Sequence, residues 1–135
     1  MPYVIGVVLS GCVAVFARVV GLDRDRAFYP TVTIVVASYY VLFAVMSGSI
    51  PTILAESIGM TVFLVAAVLG FKSSLWIVAA ALAGHGALDA VHGGLLYNSG
   101  MPLWWPAWCA SYDIGAAAGL AWLLRRGMPA GPAQA

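Results

Sequence analysis

The sequence predicts an all-α integral membrane protein that forms a single bundle of five transmembrane helices. Of its 135 residues, 63% are hydrophobic and only 8% are charged, whereas about a quarter of the residues are charged in a typical soluble domain. The mean hydropathy is +0.99. Five apolar stretches each approach the roughly 20 residues that a helix needs to cross a bilayer. The net charge of +1 provides no basic stripe for nucleic acid, so we exclude that class of partner.

The predicted spans follow one another through short connections rich in Gly, Ser, Pro and Asn, which are typical of turns. Proline within the first turn of a helix is tolerated because the N–H that it lacks would have no partner there. The turn between the second and third stretches is so short that these helices must be antiparallel neighbours. The spans are predicted at residues 3–22, 30–50, 51–71, 74–97 and 106–124.

The basic residues predict the orientation of the bundle. With five spans, all six Lys and Arg residues fall on one side, which the positive-inside rule places in the cytoplasm. The N-terminus is then outside and the C-terminus cytoplasmic. The first span is interpreted as a retained anchor because no basic segment precedes it. Residues 1–126 are expected to form the bundle, and residues 127–135 a disordered tail.

Ionisable side chains inside the fourth predicted span form one polar stripe. His85, Asp89 and His92 are spaced i, i+4 and i+7, which places them on one face of a helix. Glu56 lies little more than one turn inside the third span, and Asp113 lies about two turns inside the fifth. With the predicted orientation, all these groups share the outer half of the bundle.

The burial of three carboxylates requires compensation. An aspartate at the centre of a span costs about 2.5–3.5 kcal/mol on insertion scales, and a whole domain is stable by only about 5–15 kcal/mol. Arg18, the basic residue within a span, is near the inner end, from which its side chain can extend to the interface. A metal ion, bound protons or a cationic substrate can supply the missing positive charge.

The residue types favour a metal ion among these candidates. Imidazole and carboxylate are ligands of zinc and of non-haem iron, and side chains one helical turn apart can converge on one ion. We therefore predict a divalent zinc or iron held by His85, His92, Asp89, Asp113 and Glu56. The carboxylates of Asp89, Asp113 and Glu56 are also the predicted catalytic groups. The structural alternative is that the histidines form interhelical hydrogen bonds and that Asp89 orients them.

Other polar residues remain open between packing and a place in the site. Tyr39 and Tyr40 lie in the second span, and Asn98 lies at the outer end of the fourth. Cys109 precedes Asp113 by one turn on the same helix face. Its thiol can be a soft metal ligand or a small apolar filler.

The fifth span contains a GxxxG motif, formed by Gly115 and Gly119. Such a motif permits the close approach of another helix. That helix can belong to the same chain or to a second copy, so a homo-oligomer through these glycines is one expectation.

One segment, from Gly84 to Asp113, resembles the characteristic part of a family of small uncharacterised bacterial integral membrane proteins. Its sequence is GHGALDAVHGGLLYNSGMPLWWPAWCASYD. The shared pattern is His-x-x-x-Asp-x-x-His, a nearby Tyr and Asn, prolines in the following loop, and then Cys-x-x-x-Asp, although the spacing in the loop differs. The resemblance implies a location in the bacterial inner membrane and names no reaction. It groups five residues into one unit: His85, Asp89, His92, Cys109 and Asp113.

Three functions are compatible with these patterns. The first is a membrane-embedded metal-dependent enzyme that acts on a lipid-like or small apolar substrate, hydrolytic with zinc and oxidative with iron. The second is a metal-free acid–base enzyme, such as an isomerase, a cyclase or an epoxide-opening enzyme. The third is a proton- or cation-coupled transporter, which the lack of a polar path through the inner half disfavours.

Overall fold

The computed structural model describes residues 1–131 of the chain. Within that range the chain forms five long α-helices and one short 3-10 helix, without any strand, so the predicted all-helical class is confirmed. Each long helix coincides with one predicted span to within a few residues. The elements are α1 (Pro2–Val20), the 3-10 helix (Leu22–Arg24), α2 (Phe28–Ser47), α3 (Ile50–Lys72), α4 (Leu75–Leu95) and α5 (Trp105–Arg125).

Four of the helices, α1 to α4, are long and apolar enough to cross a membrane, which indicates a membrane protein. Helix α5 has the same length as α4, 21 residues, but does not belong to that group. Its sequence supplies the reason, because the polar run of Ser111, Tyr112 and Asp113 lies in its middle.

Glycine and serine set the helix boundaries. Helices α1 and α2 end at Gly21 and Gly48, whose φ angles are 90° and 70°. A side chain with a Cβ atom is strained in this left-handed region, so glycine is favoured there. Helices α3 and α4 begin after Ser49 and Ser74, whose hydroxyl oxygens accept hydrogen bonds from N–H groups of the first turn.

Helices α4 and α5 form the centre of the bundle. Helix α5 packs against α1 and α4, α4 also contacts α3 and α2, and α2 packs against α3. Half of the membrane-length stretch of α4 is buried (50%), against 17% in α1 and in α3. The outer helices therefore expose large apolar surfaces, which suit a lipid environment better than water.

The GxxxG glycines contact helices of the same chain. A Cβ atom at Gly115 would collide with the side chain of Ser10 in α1, and one at Gly119 would lie 3.6 Å from the hydroxyl of Tyr29 in α2. Gly115 therefore permits the close packing of α5 against α1, whereas the contact at Gly119 is an ordinary one. A homo-oligomer through these glycines stays a prediction.

One end of the bundle, here called the basic end, collects the ends of α1, α3 and α5 and the starts of α2 and α4. The Arg26 guanidinium donates hydrogen bonds to the carbonyls of Phe71 and Ala130, both at 2.7 Å. The N–H of Leu75 also donates to the Ala130 carbonyl, at 2.8 Å. The basic end carries Arg18, Arg24, Arg26, Lys72, Arg125 and Arg126.

These contacts bear on the tail predicted at residues 127–135. Residues 127–131 are non-helical, but Met128 and Ala130 pack against the buried core and the Ala130 carbonyl accepts the two hydrogen bonds described above. This part of the tail is therefore packed on the bundle. Residues 132–135 lie outside the described part of the chain, where the disordered tail stays a prediction.

Arg26→Gln is expected to destabilise the bundle by about 1–3 kcal/mol, because hydrogen bonds from a charged donor contribute about 1.5–3 kcal/mol when buried and this side chain is half-buried. Arg125→Gln removes the same charge from an exposed side chain at the same end and serves as the control. The measurement is the thermal unfolding midpoint in mild detergent. Equal midpoints for the two variants would contradict the role given to Arg26.

Candidate metal centre

Four buried side chains on α4 and α5 form a compact group of metal-ligand types, here called the four-residue cluster. Its members are His85, Asp89, Cys109 and Asp113, and their ligand atoms all lie within 4.8 Å of one another. None of the four residues is more than 1% exposed. Each helix contributes one i, i+4 pair, which places the groups on the facing sides of α4 and α5.

His85 lies at the centre of the cluster. Its Nδ1 atom is 2.6 Å from Oδ2 of Asp113 and 3.5 Å from Oδ2 of Asp89. The thiol of Cys109 is 3.8 Å from the same Asp113 oxygen. Phe63 of α3 packs edge-on against the imidazole, with ring centroids 4.7 Å apart, so an apolar wall closes this side.

The donor set of the cluster fits a zinc or iron ion. Atoms that bind zinc tetrahedrally at about 2.0–2.3 Å lie about 3.3–3.8 Å from one another. The separations of 3.5 Å between His85 and Asp89 and of 3.8 Å between Cys109 and Asp113 match that spacing. The contact between His85 and Asp113 would have to lengthen from 2.6 Å.

Two carboxylate oxygens in the cluster have no hydrogen bond within residues 1–131, although one of them, Oδ2 of Asp89, lies 3.5 Å from Nδ1 of His85. Oδ2 of Asp89 and Oδ1 of Asp113 are buried, and neither has a hydrogen bond to the described residues. A buried polar atom without a partner costs about 1–3 kcal/mol, and more when it is charged. Across residues 1–131, the hydrogen bonds and ion pairs of these carboxylates include none to Lys or Arg. The cluster therefore combines two buried carboxyl groups with no Lys or Arg partner among residues 1–131, and it can hold a metal ion.

The other two predicted ligands form a separate buried pair. Nε2 of His92 lies 3.0 and 3.2 Å from the two carboxylate oxygens of Glu56. Asn98, which follows α4, donates one hydrogen bond to Oε1 of Glu56 at 3.0 Å and one to the backbone carbonyl of Tyr40 at 3.1 Å. The structure thus pairs Glu56 with His92, outside the four-residue cluster. We call these two residues the Glu–His pair.

Tyr40 of α2 joins the cluster to the Glu–His pair. Its hydroxyl donates a 2.6 Å hydrogen bond to Oδ1 of Asp89. Its ring stacks on the imidazole of His92, with centroids 4.0 Å apart and planes 8° apart. The predicted site residues consequently belong to one continuous buried network, although they do not surround a single point.

His92 presents an unused nitrogen. Its Nδ1 atom is buried and has no hydrogen-bond partner within the described range. Since Nε2 faces Glu56, we assign the proton of the neutral ring to Nε2, which leaves Nδ1 as an acceptor. The alternative tautomer would place an N–H group where it finds no partner.

The structure shows which of the residues that the sequence left open contact the predicted site residues. Tyr40, Asn98 and Cys109 contact the site carboxylates as described above. Tyr39 instead packs edge-on against Trp105, with centroids 5.0 Å apart. The spacing of Cys109 and Asp113 by four residues was a usable signal, whereas nothing in the sequence distinguishes Tyr40 from Tyr39.

The fold and the cluster together define a helical membrane protein with a buried group of metal-ligand residues. Comparison of the chain with protein-family models, with curated proteins and with solved structures gives no match. The resemblance of residues 84–113 to a bacterial membrane-protein family stays a prediction.

Proposed function

We propose that the chain is a five-span protein of the bacterial inner membrane and that it is a metal-dependent enzyme with its centre at the four-residue cluster. The fifth span is supported by α5, which is as long as α4 and packs against two helices that qualify as spans, α1 and α4. The six Lys and Arg residues at the basic end support a cytoplasmic location for that end of the bundle. The N-terminus is then outside, the C-terminus is cytoplasmic, and the site lies in the outer half.

Charge balance is the observation that carries the metal proposal. The Oδ2 atoms of Asp113 and Asp89 lie 2.6 and 3.5 Å from one imidazole nitrogen, and Oδ1 of Asp113 is buried without a hydrogen bond to the described residues. A divalent ion offsets two of the three negative charges that both carboxylates and a metal-bound Cys109 thiolate would carry, whereas protonation of His85 offsets one. We infer that zinc or iron is held by His85, Asp89, Asp113 and Cys109.

The Glu–His pair supports catalysis in addition to metal binding. Glu56, held by Asn98, orients His92 so that Nδ1 can accept a proton. A carboxylate orients the general-base histidine of serine hydrolases in the same way. The negative charge of Glu56 also stabilises the imidazolium that forms. With the four ligands of the four-residue cluster, a bound zinc ion would have to release one of them or take a fifth ligand to supply an acidified water as the nucleophile. Hydrolysis of a lipid-like or small apolar substrate is the reaction class that uses a metal ion and a general base, with Tyr40 connecting Asp89 of the cluster to His92.

A metal-free acid–base enzyme is the second candidate, because two short hydrogen bonds favour it. The Tyr40 hydroxyl lies 2.6 Å from Oδ1 of Asp89. Nδ1 of His85 lies 2.6 Å from Oδ2 of Asp113. Each carboxylate thus has a donor without any ion. In an isomerase, a cyclase or an epoxide-opening enzyme, these donors would transfer protons directly to the substrate.

The metal content of the protein, purified in mild detergent without chelators, tests the proposal. We expect stoichiometric zinc or iron in the wild type. Cys109→Ser should weaken metal affinity by at least about 10–100-fold, the effect of losing a residue that merely supports a ligand. Cys12→Ser, which changes the exposed cysteine of α1, is the matched control and should retain the metal.

A folded wild-type protein that holds no metal, even after incubation with zinc and with iron, would overturn the metal-dependent proposal. That result would leave the metal-free candidate. Equal metal loss in the two cysteine variants would show that the bound metal is not held by the four-residue cluster.

A further inference from the structure

The basic end contains a cavity between α1 and α5 that the candidate metal centre does not use. A polar part of about 500 Å³, here called the headgroup cavity, adjoins an apolar part of about 290 Å³, here called the chain groove. Cavities that bind small molecules have volumes of about 300–1,000 Å³. The two parts share four lining residues: Arg18, Asp23, Trp122 and Leu123.

The headgroup cavity is positively charged. Its lining includes Arg18, Arg24 and Arg126 together with one acid, Asp23. Nη1 of Arg18 lies 3.2 Å from Oδ2 of Asp23, so these two charges compensate each other. Arg24 and Arg126 leave an excess of positive charge in the lining. The cavity therefore suits an anion.

Trp122 holds one of these arginines in place. The guanidinium carbon of Arg126 lies 5.1 Å from the centre of the Trp122 ring, within the range of a cation–π interaction. Trp122 also lines both parts of the cavity. The indole thus positions the charge at the junction between the polar and the apolar parts.

The chain groove has the opposite character. Besides the shared residues, it is lined by Ala14, Val15, Val19, Tyr29 and Gly119. Val15 and Val19 belong to the exposed face of α1, which is the surface that lipid would cover in a membrane. Because the basic end is where the apolar helices end, the headgroup cavity lies at the depth of lipid headgroups.

We propose that this cavity binds an anionic phospholipid, with the phosphate against Arg24 and Arg126 and with an acyl chain in the chain groove. A guanidinium matches the geometry of phosphate oxygens through paired N–H donors. The excess charge selects an anionic lipid over a zwitterionic one. The proposal rests on the apolar helices and on the cavity, and does not depend on the enzymatic function proposed above.

Thermal unfolding in a neutral detergent, with one additive at a time, tests the proposal. Phosphatidylglycerol should raise the unfolding midpoint by several degrees, and the shift should level off as the lipid concentration rises, since a ligand that binds only the folded state stabilises it. Phosphatidylcholine, which carries the same chains but no net charge, should have a much smaller effect. Inorganic phosphate, which has no chain, should have none at millimolar concentration.

Two double variants test whether phosphatidylglycerol binds at the headgroup cavity. Arg24→Gln combined with Arg126→Gln should weaken phosphatidylglycerol binding about 25-fold, because each basic residue near an anionic lipid contributes about a factor of five. Lys72→Gln combined with Arg125→Gln removes the same charge from exposed positions at the same end. This control pair should respond to the lipid like the wild type.

Gly119→Leu tests the chain groove separately. The nearest atom to a Cβ at Gly119 is 3.6 Å away, an ordinary contact, so the variant should fold while its side chain fills the groove. It should lose the response to phosphatidylglycerol although every arginine is present.

Three results would overturn the proposal. Equal shifts with phosphatidylcholine and phosphatidylglycerol would remove the charge selection. An equal shift with inorganic phosphate would assign the cavity to a free anion. Equal loss of lipid binding in the two double variants would attribute the effect to overall charge.

Discussion

Asp113→Ala is expected to eliminate metal binding and to lower the free energy of unfolding by about 3–5 kcal/mol, the cost of removing one partner from a buried ion pair. Oδ2 of Asp113 contacts both His85 and Cys109, and the residue is fully buried. Its removal leaves an imidazole nitrogen facing a void. Metal analysis and thermal unfolding of the purified variant measure the two effects.

Asp113→Asn separates the charge from the packing. The amide has nearly the same size and can still accept a hydrogen bond, so this variant should lose the metal with a smaller loss of stability than the alanine variant. Asp25→Asn is the control, because Asp25 is exposed at the basic end and its oxygen accepts a hydrogen bond from the N–H of Ala27, which an amide oxygen can also do. Unchanged metal content in Asp113→Asn would refute its assignment as a ligand.

Gly86→Val is expected to force α4 and α5 apart and to disrupt the four-residue cluster without changing any of its members. A Cβ atom at Gly86 would lie 2.9 Å from the carbonyl oxygen of Ala110 and 3.1 Å from Cγ1 of Ile114. Overpacking of a dense interior costs about 1–3 kcal/mol. Because the cluster is divided between the two helices, a small separation should also reduce metal affinity.

Gly84→Val provides the matched control for that experiment. Gly84 lies two residues earlier on the same helix, is exposed, and would have no atom within 4 Å of a Cβ. Both variants make the same change in helix propensity, so only steric contact with α5 distinguishes them. If Gly84→Val lost as much metal and stability as Gly86→Val, the close approach of α4 and α5 would not be the cause.

The helices were predictable because the apolar runs have membrane length and are separated by residues that end helices. The boundaries moved where local detail decided them. Helix α2 begins at Phe28, before the predicted start at Pro30, since a proline is tolerated within a first turn. Helix α4 ends at Leu95, and the chain then extends so that the buried Asn98 can reach Glu56.

The composition of the site was predictable only in part. The i, i+4, i+7 spacing correctly placed His85, Asp89 and His92 on one buried face of α4. However, His92 lies roughly 10 Å farther along the helix axis than His85, so the two rings meet different neighbours. His85 faces Asp113 of α5 and His92 faces Glu56 of α3. The packing of the helices decides these pairings, and periodicity within one helix contains no information about it.

The hydrogen bond between Arg26 and Ala130 can form only after nearly the whole chain has been translated. The two residues are 104 positions apart, and ribosomes add about 5–20 residues per second. Arg26 therefore emerges roughly 5–20 s before the carbonyl that it binds. Helices α2 and α3 are completed early in that interval, before the segment whose carbonyl binds Arg26 has been made. Closure of the basic end is thus a late step of assembly, and a fusion partner attached close behind residue 130 would act on helices translated long before it.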